Sequence, residues 1–357
     1  MPKTKKILFL TGSPNQTTQM HKIASELTGY DCYFSQVFDD ALVVRLLLKT
    51  PLMDKIVLSD PFRRKAEEYL KQHNQKIDYK GENYGHKYDL VVMCSDVVFP
   101  KRFKNTKTIF VQEGMTDPFN SWSKIVKMLG LPGFMTLSTS LNGSMNLADV
   151  YCVASDGYKE RFSKLGTDKN KIITTGMPNF DNMFSYVNND FPLTNYVLVC
   201  TSDIRECYGI DYRKKFIKRC VDIAKGRQII FKLHPNEVME RAVSEIKECA
   251  PADALIYTTG NSNHMVANCD VLITQYSTLT YVGLELGKEV HSFFDVEELK
   301  RLAPLQNGAT SAKKIADVCK NYVEYTGDSR YFIENYQNPL FDTRIVRPTK
   351  TVSAVPL

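Results

Sequence analysis

At 357 residues, with 43% hydrophobic and 24% charged residues, the chain is long enough for two ordinary domains and too apolar to be disordered. Its formal net charge of +6 is moderate, and no nucleic-acid recognition motif accompanies it, which sets a nucleic-acid partner aside. The nine cysteines form no C-x-x-C pair, and several sit in apolar runs, which argues for reduced, buried thiols in a cytoplasmic protein over a disulfide framework or a zinc site. Basic residues gather at Arg63-Arg64-Lys65 and Lys101-Arg102-Phe103-Lys104, either as solvated faces or as attraction for an anionic partner. The apolar run Ile7-Leu8-Phe9-Leu10, after Lys3, Lys5 and Lys6, is too short for a signal-peptide core, and no segment is long and apolar enough to span a bilayer.

In chain order, Lys6 to Thr11 reads as a buried strand, followed by the turn Gly12-Ser13-Pro14-Asn15 and a helical stretch to Leu27. Further strands are predicted at 88–94, 108–112, 150–154 and 171–175. After Asp190-Phe191-Pro192-Leu193-Thr194, a plausible linker, a second series follows at 196–200, 228–233, 254–257, 271–274 and 289–293. Continuous apolar strands separated by helical patterns predict parallel α/β sheets. The expected organisation is two Rossmann-like domains facing each other across a cleft, residues 1–185 and 186–330, with 331–357 as a return segment or tail.

The chemistry-bearing residues fall at strand ends. Thr11-Gly12-Ser13-Pro14-Asn15 is no G-x-G-x-x-G fingerprint, and no Walker motif occurs. There is also no Asp-x-Asp pair to hold a divalent metal against a diphosphate, so no metal and no cofactor are expected. In the second half, the strand ending Phe231-Lys232-Leu233 runs into His234-Pro235, where the proline stops the strand and directs the ring. The strand Val271–Thr274 runs into Gln275-Tyr276-Ser277-Thr278 and a helical pattern. Hydroxyls, an imidazole and a helix start suit the phosphates of a nucleotide, since free N–H groups and the helix dipole both favour anions. Ser277 and Thr278 could equally cap that helix. Ser202, Arg205 and Lys232 are candidates for the remaining phosphate charge, with an ordinary surface cation as the rival reading for the two basic residues. Glu285, about two turns beyond Ser277, either reaches a ribose hydroxyl or faces solvent.

These residues resemble those of GT-B glycosyltransferases, and the second half is similar to bacterial sialyltransferases, Kdo transferases and CDP-glycerol glycerophosphotransferases. The resemblance rests on Glu113-Gly114, His234-Pro235, Ser277-Thr278 and the segment Gly176-Met177-Pro178-Asn179-Phe180-Asp181. It implies a metal-independent inverting transferase with a nucleotide-activated, cytidine-linked sugar or polyol donor, working in surface polysaccharide or glycolipid synthesis. Glu113 would be the general base, His234 would stabilise the leaving phosphate, and Ser277, Thr278, Pro235 and Gln275 would line the phosphate site. Gly12, Ser13 and Gly114 would form the loops of the first domain. The chain departs from the pattern at Gln112-Glu113-Gly114, where two acidic residues commonly precede the glycine, and at Gln275, where glycerophosphotransferases commonly carry Asp. A nonhydrolysing UDP-N-acetylglucosamine 2-epimerase shares the fold, but its Ser-Gly-Gly turn and paired glutamates are missing here. A catalytically silent nucleotide-binding module is the remaining alternative.

Phe119, Trp122, Val126 and Leu129 recur at helical spacing, with Lys124 and Lys127 between them and Leu131-Pro132-Gly133-Phe134 after. Residues 119–134 therefore either pack on their own core or lie on a membrane or a lipid-linked glycan acceptor. The expected location is cytoplasmic, peripheral to the inner face of the plasma membrane.

Overall fold

The computed structural model describes residues 4–40, 60–85, 87–136, 138–206 and 209–337. Lys3, Cys207 and the part of the expected tail beyond residue 337 lie outside the described residues. Two all-parallel sheets dominate. The first has the order β2-β1-β3-β4-β5-β6, from Asp31–Gln36, Lys6–Thr11, Leu90–Met93, Lys107–Val111, Val150–Val153 and Ile172–Thr174. The second has the order β11-β10-β7-β8-β9, from Glu289–His291, Val271–Thr274, Val197–Cys200, Ile229–Lys232 and Leu255–Tyr257.

The central strands are apolar throughout because both faces are covered. Ile7 and Phe9 enter one core with Leu90 and Val92, while Leu8 and Leu10 point to the opposite face. In the second sheet Val197 and Val199 face the helices α5 (Arg213–Ala224) and α6 (Met239–Cys249), while Leu198 and Cys200 turn the other way. One buried cluster runs between the two halves through Met177, Met183, Met265, Tyr281 and Leu302. The eight described cysteines are free thiols, six of them buried.

The expected strands all form: Lys6–Thr11 and Val271–Thr274 keep their bounds, the one expected at 108–112 runs from Lys107 to Val111, and the others are shorter at one or both ends. The strand β2 is not expected from Asp31-Cys32-Tyr33-Phe34-Ser35-Gln36, whose apolar run is only three residues long. Its buried polar residues find distant partners: Lys80 N–H donates to Ser35 Oγ at 2.9 Å, and Gln36 Nε2 donates to the Gly12 carbonyl at 3.5 Å.

The domain boundary expected at residue 330 moves toward the middle of the second half's last helices. Helix α9 (Val296–Leu302) packs on α4 (Asp156–Lys164), and from Ala303 the chain crosses back. Helices α10 (Ser311–Glu324) and α11 (Phe332–Gln337) then complete the first sheet's core: Ile315, Cys319, Tyr322 and Phe332 pack with Ile7, Phe9 and Val111. The sequence conceals this because an amphipathic helix does not say which sheet it covers. The Gly176–Asp181 segment holds the crossover. The buried carboxylate of Asp181 accepts from the N–H groups of Asn307 and Ser311, both at 2.6 Å, and so caps the start of α10. Gly176 has φ +86°, and a side chain there would meet Ser311 and Asn307.

Candidate functional site

In open parallel sheets, ligands bind beyond the carboxyl ends of the strands, where the chain's winding reverses. In the first sheet that point lies between β1 and β3, and in the second between β7 and β10. The candidate residues of the first half gather near the former. Gly12 and Ser13 follow β1, and Ser13 caps α1 (Pro14–Ser25) in a reciprocal capping box with Gln16. Glu113 follows β4, and the residue before it fixes its loop. Gln112 is buried; its Nε2 donates to the Gly114 carbonyl at 2.9 Å, and its Oε1 accepts from Ala154 N–H at 2.9 Å. Gln19, also buried, donates to the Gln112 carbonyl at 3.0 Å. The Glu113 carboxyl is desolvated among these groups, and burial raises its pKa above the usual glutamate range, opposed by a hydrogen bond from the Gln16 side chain. Asp96, just past β3, is a second carboxyl pushed up by burial, to about 6. Its oxygens are occupied by Gly143 N–H at 2.7 Å, Met145 N–H at 3.0 Å and Tyr151 Oη–H at 2.9 Å, so it holds a loop instead of facing the cleft.

In the second half, Ser202 and Gln275 meet at the reversal point. Ser202 N–H donates to Gln275 Oε1 at 3.3 Å, and Ser202 Oγ donates to the Tyr276 carbonyl at 3.2 Å. Gln275 is fully buried. Tyr276 stays half exposed beside Phe293 and Phe294. Next door, His234-Pro235-Asn236-Glu237 forms a turn closed by Glu237 N–H to the His234 carbonyl at 3.1 Å, with Pro235 exposed. His234 N–H donates to Glu237 Oε2 at 2.9 Å. The imidazole Nδ1 accepts from Asn236 N–H at 3.3 Å, which leaves the proton of the neutral ring on Nε2. Asp203 Oδ2 stands 3.6 Å from Nδ1, a partner for the doubly protonated ring. The His234 side chain is 36% exposed, so its outer edge is open to a ligand.

Ser277 and Thr278 precede α8 (Leu279–Glu285). Ser277 Oγ accepts from Leu279 N–H at 3.3 Å, while Thr278, the N-cap residue, makes no cap bond with its side chain. Glu285 ends the same helix, half-buried, with its pKa raised by burial.

The two halves meet at these residues. A Cβ on Gly114 would lie 3.3 Å from Thr278 Cγ2, so the loop carrying Glu113 touches the start of α8. Tyr158 and Tyr281 join their hydroxyls at 2.8 Å, both buried, across the same seam. Ser155 Oγ donates to the Leu302 carbonyl at 3.0 Å, and a side chain on Gly157 would collide with the Arg301 carbonyl.

Two expected phosphate ligands are engaged elsewhere. Arg205 forms a two-pronged pair with Glu245, Nη1 to Oε1 and Nη2 to Oε2, both at 2.7 Å, which commits its guanidinium to α6. Lys232 is buried and donates to the Leu233 carbonyl at 3.0 Å; burial lowers its pKa. Sequence reasoning missed Arg213, Asp211 and Glu237, which lie buried beneath Ser202 and His234. Nothing local in the sequence singles them out, since each is recognisable only through partners brought in by the fold. Among the described residues, no group of three or more His, Cys, Asp or Glu is placed to hold a metal ion.

No protein-family model matches the sequence, and no curated protein matches it either. Solved structures do. UDP-GlcNAc 2-epimerase from Neisseria meningitidis bound to UDP-GlcNAc is similar with TM-score 0.55 at 12% identity, covering 88% of this chain and 99% of that one. The S. aureus MnaA–UDP co-structure gives TM-score 0.57 at 11% identity, covering 90% and 97%. The wall teichoic acid polymerase TagF gives 0.51 at 14% identity, covering 90% of each chain. The likeness carries the architecture: the chain has the GT-B fold, two parallel α/β domains across a cleft.

Proposed function

We propose that this chain is a glycosyltransferase that moves a sugar or polyol unit from a nucleotide-activated donor to a glycan or lipid-linked acceptor without a metal ion. The observation that supports it most is the contact of the Glu113–Gly114 loop with Thr278, which sets a desolvated carboxyl on one domain against the candidate phosphate site of the other. For a sugar donor, the acceptor oxygen attacks the anomeric carbon while the bond to the nucleotide's phosphate oxygen breaks and its electron pair leaves with the phosphate. Glu113 takes the acceptor's proton, and a single in-line displacement inverts the anomeric centre. His234 Nε2–H donates to the departing phosphate, whose remaining charge meets the hydroxyls of Ser202, Ser277 and Thr278. Glu285 is the ribose ligand in this reading. A cytidine nucleotide is the preferred donor, on the resemblance of the His-Pro and Ser-Thr motifs to cytidine-dependent enzymes. The acceptor approaches from residues 119–134, at the inner face of a membrane.

The test has two arms. A thermal-shift panel of CMP, CDP, UDP and GDP, with and without EDTA, should show stabilisation by one nucleotide that EDTA does not remove. Glu113→Ala and His234→Ala should each lower turnover with the matching donor by about two orders of magnitude while the fold survives. Near-wild-type turnover in either variant rejects that residue's role. Interconversion of UDP-N-acetylglucosamine with its 2-epimer, followed by NMR, would replace the transferase reading with the epimerase one.

A further inference from the structure

Beneath the donor half lies a group of buried charges that the chemistry above does not use. Arg213, the first residue of α5, is 3% exposed. Its Nε donates to Asp211 Oδ2 at 2.7 Å, and its Nη2 donates to the Ser202 carbonyl at 2.8 Å. The same Nη2 lies 2.7 Å from Glu237 Oε1 in an ionic contact, and Nη1 has no hydrogen-bond partner. The other Asp211 oxygen accepts from Gln275 Nε2 at 3.0 Å. Glu237 Oε2 accepts from His234 N–H at 2.9 Å and from the Thr201 hydroxyl.

Two chains of contacts therefore start from one guanidinium. One runs through Asp211 and Gln275 to the backbone of Ser202, which Arg213 also grips directly. The other runs through Glu237 to the backbone of His234. Asp211 and Glu237 are both buried carboxylates, and the guanidinium of Arg213 lies between them. A planar fork can hold three oxygens at fixed angles, which a lysine's single ammonium cannot reproduce.

We propose that Arg213 is a positioning residue of the phosphate site, setting the spacing between the Ser202 and His234 loops so that both reach one phosphate group. This rests on the donor site assigned above. Arg213 acts on the ligand only through those two loops, so its loss should weaken recognition of phosphate and leave recognition of the base and ribose in place.

The experiment compares calorimetric binding of a nucleoside diphosphate and of its parent nucleoside to wild type, Arg213→Lys and Glu237→Gln. Glu237→Gln keeps an acceptor for His234 N–H while removing the charge that faces Arg213. Expected is a loss of about tenfold or more in diphosphate affinity in each variant, the scale of one hydrogen bond to a charged group, with nucleoside affinity unchanged. Circular dichroism and the unfolding midpoint establish that each variant is folded, and if Arg213→Lys is not, Glu237→Gln alone decides. Equal losses for diphosphate and nucleoside, or no loss for either, overturn the positioning role while leaving the donor site intact. If wild type binds no nucleotide, the donor site itself falls, and this inference with it.

Discussion

The Glu113 carboxyl sits between opposing influences, desolvation raising its pKa and the Gln16 amide lowering it. In its proposed role as general base it works only when ionised, so activity should fall as pH drops through its pKa. Because that pKa is raised, the acid limb of kcat/KM should lie above the ordinary glutamate range. Removing the opposing donor with Gln16→Leu should move the limb to higher pH still. It should also cost about 1 kcal/mol of stability through the broken capping box with Ser13. A pH–rate profile in which the limb stays put, or moves to lower pH, would show that Glu113 is not the titrating base. At this scale the sequence was informative where a residue's role is local. A proline after His234 and hydroxyls before α8 carry their meaning in adjacent positions. Arg205 does not, because Glu245, the partner that claims its guanidinium, belongs to a helix remote in sequence.

Helix α3 (Ser121–Met128) shows what periodicity can and cannot say. The spacing of Phe119, Trp122, Val126 and Leu129 suggests one stripe, yet only Val126 turns inward, together with Ser123. Trp122, Ile125, Met128 and Leu129 are exposed, Met128 by 73% and Leu129 by 62%, and Lys124 is exposed beside them. The helix is anchored by polar contacts: Asn120 caps its start, Ser123 Oγ meets Ser140 Oγ at 2.7 Å, Lys127 reaches the carbonyl of Ser144 at 2.7 Å, and the Trp122 indole N–H donates to the Met135 carbonyl at 3.1 Å. An apolar outer face flanked by a lysine suits the boundary between lipid head groups and acyl chains. Replacing Phe119 and Trp122 with serine should abolish co-sedimentation with anionic liposomes without unfolding the protein, although the Trp122 change removes the hydrogen bond to Met135. Unchanged co-sedimentation, or none by wild type, removes the membrane contact. Two apolar faces on one short helix look alike in a sequence, and only the fold decides which of them it covers.

The parallel sheets and the strand-end placement of Glu113, His234 and Ser277 follow from the pattern of apolar runs and turns, whereas the strand order, with β2 at the edge of the first sheet, does not. The path of the chain between the domains was not legible either, because the crossover after Ala303 depends on Asp181 capping a helix far along the chain. That crossover makes the first domain discontinuous. A fragment ending at residue 302 should therefore lose cooperative unfolding in its first half, since Ile315, Cys319, Tyr322 and Phe332 would be missing from the core around Phe9. Hydrogen exchange on such a fragment checks this, and native-like protection of β1 and β4 would contradict it. During synthesis the same arrangement separates the making of a sheet from its completion. The strands that leave the ribosome first must wait, with one face unfinished, until Ile315, Cys319, Tyr322 and Phe332 have emerged. Until then the apolar face that α10 and α11 cover stays open in the half that was translated earliest.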